Sequence, residues 1–313
     1  MISLIAKGQG PSSIGGQVAV WGLNSDVVTN TPPALSGVVA VSARMDHCLA
    51  LLADGKVLHW GRSGGGGLDL PTHLPRVSAV AAGCEHSLAL TERGTVVAWG
   101  RNDDAQLNPP PGLVNVVAIS AGSRSSLALT KDGHVVAWGG SNYDVFGPIH
   151  PPQGLSNVIA IASGYFHSLA LKRDGSVVAW GAGTKTHGAG YEVGQCIVPA
   201  NATNIVAIAA GATHSMALDK NGKVFVWGGD PSWTTRMPPN LGKVVMIACG
   251  EHHCLALKAD GTVVEWGIWD ELGVPKSLAR TPMPKELRNV RGLSGGRDFS
   301  VAIVSPVQTP PHR

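Results

Sequence analysis

The sequence predicts an all-β fold, a seven-bladed β-propeller, on three observations. The dipeptide Trp-Gly recurs at Trp21, Trp60, Trp99, Trp138, Trp180, Trp227 and Trp266, at spacings of 39, 39, 39, 42, 47 and 39 residues. Each full copy holds two apolar β-type runs around a glycine turn. The two ends of the chain are complementary parts of one copy. A period near about forty residues with several short strands per repeat marks a propeller rather than one conventional core.

The unit is clearest from Leu127 to Gly139, where two strands flank Asp132-Gly133. That pair accepts the positive φ angles a tight reversal needs. The other turns are Asp54-Gly55, Arg93-Gly94, Asp174-Gly175, Asn221-Gly222 and Asp260-Gly261, so Asp or Asn precedes glycine in all but one. Before each hairpin stands a run of β-branched and very small residues, beginning at Val38, Val77, Val116, Val158, Ile205, Val244 and Val290. These are the inner strands: small residues let neighbouring sheets approach the axis and Val or Ile fills the space between them. After each Trp-Gly come a loop and a segment bearing proline (Pro32, Pro71, Pro109, Pro151, Pro199, Pro238, Pro282), expected to form a short outer strand, where a missing donor is tolerated.

Gln17 to Gly22 is a third strand with nothing before it, and Val290 to Val304 is an inner and second strand with no Trp-Gly after it. Pairing the two closes the ring without an unpaired inner edge. The expected domain is 17–304, with 1–16 as an N-terminal extension and 305–313 as a C-terminal tail.

Gly-x-x-His-Ser-Leu-Ala-Leu followed by Asp-Gly-x-Val-Val-Ala-Trp-Gly, as in Gly164 to Leu171 and Asp174 to Gly181, resembles the repeat of the regulator of chromosome condensation family. The short loops and proline-bearing outer segments are similar to its bacterial branch, typified by beta-lactamase inhibitory protein II. The resemblance implies the propeller fold and a role in binding other proteins, in its narrower form inhibition of a beta-lactamase-like enzyme. It fixes the fold more firmly than the function, because the matching residues are scaffold.

Composition agrees with an ordered chain rich in turns. Of 313 residues, 44% are hydrophobic and 14% charged, with 41 glycines. The 24 basic and 21 acidic residues are spread along the chain, so neither nucleic acid nor a membrane is expected as partner, and a monomer is. Met1 to Pro11 lacks the apolar core and cleavage site of a secretory signal, which fits a cytoplasmic protein, or a secreted one whose signal was removed. The five cysteines do not form a disulfide framework; Cys48 and Cys254 hold the place of Ser87, Ser126, Ser168, Ser215 and Ser300 and read as small buried side chains.

Strand parity puts the Gly-x-x-His loops and the loops after Trp-Gly on one face and the Asp-Gly turns on the other. Around the channel mouth of the first face the variable residues are Arg44, Met45, Asp46, Cys84, Glu85, Ser123, Arg124, Tyr165, Phe166, Ala212, Thr213, Glu251, His252, Arg297 and Asp298. Arg44 stands where the other copies have glycine. Mixed charges with a Tyr-Phe pair suit a polar or peptide-like ligand. Trp233 and Trp269 lie outside the repeating column, as interface anchors or as stacking platforms for a carbohydrate. The long loop after Trp180 adds His187, Tyr191, Glu192 and Cys196.

The leading expectation is therefore a non-catalytic recognition propeller with a protein or peptide partner, no cofactor and no metal. An enzyme would have to draw acid and base from Asp46, Glu85, Glu251 and Asp298, a proton shuttle from His252 or Tyr165, and an anion clamp from Arg44, Arg124 or Arg297. The recurring histidines, His47, His86, His167, His214 and His253, read as buried imidazoles bonded to neighbouring backbone.

Overall fold

The structure, a computed structural model, describes residues 16–23, 28, 31–32, 35–62, 69–140, 150–185, 192–229, 235–267, 280–285 and 287–305. These form seven antiparallel sheets, six of three strands and one of four. In the third blade Val116–Ala121 pairs with Ser125–Thr130, which pairs in turn with Val135–Gly139. The equivalent blades occupy 38–61, 77–100, 158–181, 205–228 and 244–266. The turn glycines take positive φ, +86° at Gly133, which costs a glycine nothing sterically.

Five of the six glycine turns also anchor the next blade. The first inner-strand residue donates its N–H to the preceding turn's glycine carbonyl: Val116 to Gly94 at 3.1 Å, Val158 to Gly133 at 3.2 Å, Ile205 to Gly175 at 3.0 Å. Just before those strands Asn115, Asn157, Asn204 and Asn289 adopt φ between +54° and +58°, the left-handed region that asparagine tolerates best after glycine.

The core lies between blades. Seven clusters of buried side chains each join one blade to its neighbour; in one, Leu88 and Leu90 of the second blade meet Ile119, Ala128 and Trp138 of the third. A fully buried leucine stabilises by roughly 1.5–3 kcal/mol, so every blade depends on both neighbours. All seven repeat tryptophans are buried, Trp21 completely.

The ring closes as the chain ends predict. Gln17–Leu23 pairs with Phe299–Val304 from Gln17 opposite Val304 to Gly22 opposite Phe299, and Val290–Gly295 completes the sheet. Phe299, Val301 and Ile303 pack on Val41 and Cys48 of the first blade, while Trp21 and Leu293 pack on Leu255 and Leu257 of the sixth.

The expectation of an outer strand in every blade is corrected. Among the described residues a fourth strand forms only at Arg280–Thr281, against Gly22 and Leu23. Pro71, Pro109, Pro151, Pro199 and Pro238 lie in irregular segments. Proline supplies no donor to a ladder, and these segments run as turns over the blade edge instead.

Candidate binding face

The two loop sets share a face. Arg62 N–H bonds to Asp46 O at 2.7 Å, Arg101 to Glu85 O at 2.8 Å, Gly140 to Arg124 O at 2.8 Å and Ala182 to Phe166 O at 2.7 Å. The loops after Trp-Gly therefore lean on the Gly-x-x-His loops. The close approach requires glycine: a Cβ on Gly181, where φ is +103°, would sit 2.4 Å from Phe166 O. A second set of backbone bonds runs around the channel from blade to blade: Cys84 N–H to Gly122 O (3.1 Å), Tyr165 to Ala212 O (3.3 Å), Ala212 to Glu251 O (2.9 Å), Glu251 to Gly296 O (2.9 Å) and Arg297 to Met45 O (2.9 Å). Backbone bonds thus link five of the seven inter-blade steps of the mouth on which the variable side chains are mounted.

Arg44 crosses that mouth. Its Nη1 donates to Ser163 O of the fourth blade at 2.9 Å, and its guanidinium lies 5.3 Å from the Tyr165 ring centroid. Arg44 is 7% exposed, with Nε and Nη2 enclosed and without hydrogen-bond partners, so it seals the channel instead of presenting a clamp to a ligand. The strand holding it runs on to pair Arg44 with His47, and Met45 turns at φ +47°. Glycine at this position in the other blades has a reason: a Cβ on Gly164 would stand 2.2 Å from Cε1 of His167.

Around Arg44 the ring residues engage one another. Tyr165 Oη donates to Met45 Sδ at 3.1 Å, and its ring meets Phe166 edge-on with centroids 6.2 Å apart. Arg297 donates from Nη2 to Met45 Sδ at 3.2 Å and stands 3.7 Å from Glu251 Oε2 and 3.8 Å from Asp46 Oδ2. His252 Nε2 is 3.7 Å from the same Glu251 oxygen. Burial pushes the Glu251 carboxyl up, opposed by Tyr165, Arg44 and Arg297, and burial lowers His252 to about 4. Thr213 and Asp298 stand half-buried on the rim.

Two ring residues turn outward. Glu85 pairs with Arg101 at 2.6 Å, and Arg101 also with Asp103 at 2.6 Å. Arg124 reaches Asp104, 2% exposed, at 3.2 Å. The mouth therefore gathers Arg44, Asp46, Tyr165, Glu251, His252 and Arg297, while Glu85 and Arg124 tie the inner ring to the outer loops. Glu192 accepts N–H bonds from Gly183 (2.9 Å) and Lys185 (3.2 Å), holding its own loop. Trp233, Trp269, His187 and Tyr191 lie outside the described residues.

Beneath the mouth four of the five histidines bond through Nε2 to side chains, where the sequence pattern suggests backbone. His47, His86, His167 and His253 each reach the serine hydroxyl of the next blade, Ser87 (3.3 Å), Ser126 (3.1 Å), Ser215 (3.0 Å) and Ser300 (2.9 Å). His214 makes no such bond, since the next blade offers Cys254. Burial holds His47, His86 and His167 at about 3, so the imidazoles are neutral.

Four residues that position this layer escape the sequence pattern: Asp104, Gln106, Gln195 and Glu265. The carbonyl of Gln106 accepts from Trp138 Nε1 and Ser126 Oγ, both at 2.9 Å; that of Gln195 accepts from Trp227 Nε1 and Ser215 Oγ, both at 2.9 Å. The signal lies in the spacing, since each glutamine precedes its tryptophan by 32 residues and its serine by 20. In the closing blade a side chain does this work. Glu265 accepts from Trp21 Nε1 at 3.1 Å and Ser300 Oγ at 2.6 Å. Its signal is a carboxylate where other copies have Ala98, Ala137, Ala179 and Val226.

The family model of the regulator of chromosome condensation (RCC1) repeat matches residues 77–106, 116–144, 158–186 and 205–231. No curated protein matches the chain. Among solved structures, Prp20p from Saccharomyces cerevisiae, described with its binding to Gsp1p and histones, is 23% identical with a TM-score of 0.72 over 96% of this chain and 93% of that one. Human WBSCR16 is 21% identical with a TM-score of 0.70, over 92% of this chain and 100% of that one. The ectodomain of the Arabidopsis thaliana receptor kinase ACR4 is 17% identical with a TM-score of 0.64, over 85% and 93%. At these identities the likeness is one of fold. Four matched repeats, the Trp-Gly column through all seven blades and the shared architecture lead to one conclusion: the chain is a seven-bladed β-propeller in which the repeats at 77–106, 116–144, 158–186 and 205–231 match the regulator of chromosome condensation repeat.

Proposed function

We propose that this propeller is a recognition module without catalysis of its own, holding a protein or peptide partner on the face made by the Gly-x-x-His loops and the loops after Trp-Gly. The observation that carries the reading is the pre-organised mouth. Arg44 seals the axis, and Met45, Tyr165, Glu251 and Arg297 hold one another over it. A surface fixed before binding loses little conformational entropy on association, which favours affinity. Glu251, whose raised pKa would suit a general acid, is 4% exposed with Oε1 enclosed, which supports binding over turnover. The fold relative Prp20p is described with protein partners, in keeping with this class of role. Inhibition of a beta-lactamase-like enzyme is the narrower form suggested by the sequence resemblance. A lectin-like alternative rests on Trp233 and Trp269.

The test is affinity capture from the native source with wild type and with Phe166→Asp/Asp298→Arg, two half-buried rim positions. Capture lost by the variant at unchanged melting temperature is the expected result. Equal capture by both proteins would reject this face. A panel of serine beta-lactamases assayed with excess propeller tests the inhibitor form, which uninhibited turnover throughout would exclude.

A further inference from the structure

The opposite face carries a feature that the binding mouth does not use. In every blade the inner strand has a bulge at its second residue, where the register slips, as between Val116 and Ala118 or Val158 and Ala160. The extra residue leaves the pairing and turns to solvent. Five of these positions are aliphatic, Val39, Val117, Ile159, Val206 and Val245, each 40–51% exposed. Each inner strand touches the inner strands of both neighbours, so the five lie on one annulus about the axis. It is interrupted at Ser78 and Arg291. The bonds from inner-strand starts to turn glycines place this annulus among the Asp-Gly turns.

Those turns carry an uncompensated charge. Asp54, Glu92, Asp174 and Asp260 each pair with a neighbouring lysine or arginine, Asp132 lies 3.0 Å from His134 Nδ1, and Asp219 is buried accepting turn N–H groups from Asn221 and Lys223. Arg93, Lys131, Arg173, Lys220, Lys223 and Lys243 are exposed and enter no ion pair with a described residue. Between the fifth and sixth blades Lys223 and Lys243 flank a cleft of about 430 Å³ lined by Val224, Met237, Pro238 and Leu241. The near-even charge of the sequence therefore hides a basic face with an aliphatic centre.

We propose that this second face docks an acidic protein segment bearing aliphatic or aromatic side chains, which seat on the annulus and in the cleft while its carboxylates meet the surrounding lysines and arginines. Charge complementarity selects an acidic partner, and the contiguous aliphatics select one with apolar side chains. Single-stranded nucleic acid fits less well, because among the described residues the annulus offers no aromatic ring for base stacking.

The fold supplies safe variants, since Ser78 and Arg291 already occupy the bulge position. A displayed library of random dodecapeptides panned on the full chain is expected to enrich acidic sequences with at least two Leu, Ile, Val or Phe residues. Their affinity should fall about tenfold or more for Val117→Ser/Ile159→Ser and for Lys223→Glu/Lys243→Glu, and stay unchanged for the rim variant Phe166→Asp/Asp298→Arg. No enrichment, enrichment of basic or uncharged sequences, or equal binding to the annulus variants would overturn the proposal. So would a 20-nucleotide single strand or a vesicle of phosphatidylcholine and phosphatidylserine binding this face more tightly than the selected peptides. The rim variant separates this proposal from the first, because each face is tested by changes that leave the other intact.

Discussion

The layer of histidines under the binding mouth makes the protein sensitive to mild acid. His47, His86 and His167 are buried and neutral, with burial holding their pKa at about 3, whereas in the unfolded chain each titrates near about 6.5. A histidine depressed in the folded state favours folding fully above its unfolded pKa and loses that contribution as pH falls toward the folded value. The window is therefore pH 6.5 down to 3. At about pH 5 the unfolded chain gains roughly 2 kcal/mol per histidine by protonation, or roughly 6 kcal/mol for the three, against a typical total stability of about 5–15 kcal/mol. His59 and His252, also lowered by burial, add to the same slope. The exposed turn carboxylates do not interfere, because Asp174 is held at about 2 and Asp54 and Asp132 below their usual range. Urea unfolding followed by tryptophan fluorescence between pH 7.5 and 5 should show the midpoint fall by about 2 M at an m-value of about 3 kcal/mol/M. His86→Phe, a replacement the chain itself makes at Phe299, should remove about one proton from the slope while Ser126 keeps its bond to Gln106. A midpoint that moves by less than about 0.5 M, or an unaltered slope in the variant, would refute the reasoning.

Other expectations follow from the same contacts. Arg44→Gly should open the channel and lower stability by about 3 kcal/mol in urea unfolding, whereas Arg44→Met, which fills the same space without a half-partnered charge, should be neutral or stabilising. Glu265→Ala strands Trp21 Nε1 and removes one partner of Ser300; a loss of about 3 kcal/mol is expected against about 1 kcal/mol for Glu265→Gln, measured by calorimetry. Glu251 has a folded pKa above its unfolded value, so it favours folding below the unfolded pKa and ceases to as pH rises through the folded one. Glu251→Gln should therefore raise the melting temperature at pH 8, with the difference closing at pH 4. Cys254→Ser should give His214 the hydroxyl that its counterparts have and add about 1 kcal/mol, read from the urea midpoint.

Most of the fold is legible because the repeat states each rule several times. Asp-Gly at the turns, alternating small and β-branched residues on the inner strands and the split closing blade all act locally, and the sheets form where those signals stand. The outer strand is not legible, because proline at an edge permits a strand without requiring one. The histidine layer is half legible. Burial follows from the repeat, but the partner is Ser126 or Ser215 one blade away, a relation set by how blades stack and not by neighbours in sequence. Parity assigns Glu85 and Arg124 to the mouth; their side chains are long enough to choose between two rings, and the carboxylates and guanidinium of the outer loops decide it.

The two faces differ because of where the neighbouring blade ends. On the Gly-x-x-His side five of the seven loops donate a backbone N–H to the next, and variable side chains there neutralise one another, Arg297 with Glu251 and Asp46, Arg124 with Asp104. On the Asp-Gly side the inter-blade bond is made by the turn glycine, which has no side chain, and the bulge then rotates the following residue out of the sheet. Nothing among the described residues of the ring satisfies Val117, Ile159 or Lys243 there. A repeat that closes on itself thus pairs its variable side chains on one mouth and leaves aliphatic surface and positive charge facing solvent on the other, which is the surface the proposed acidic segment would cover.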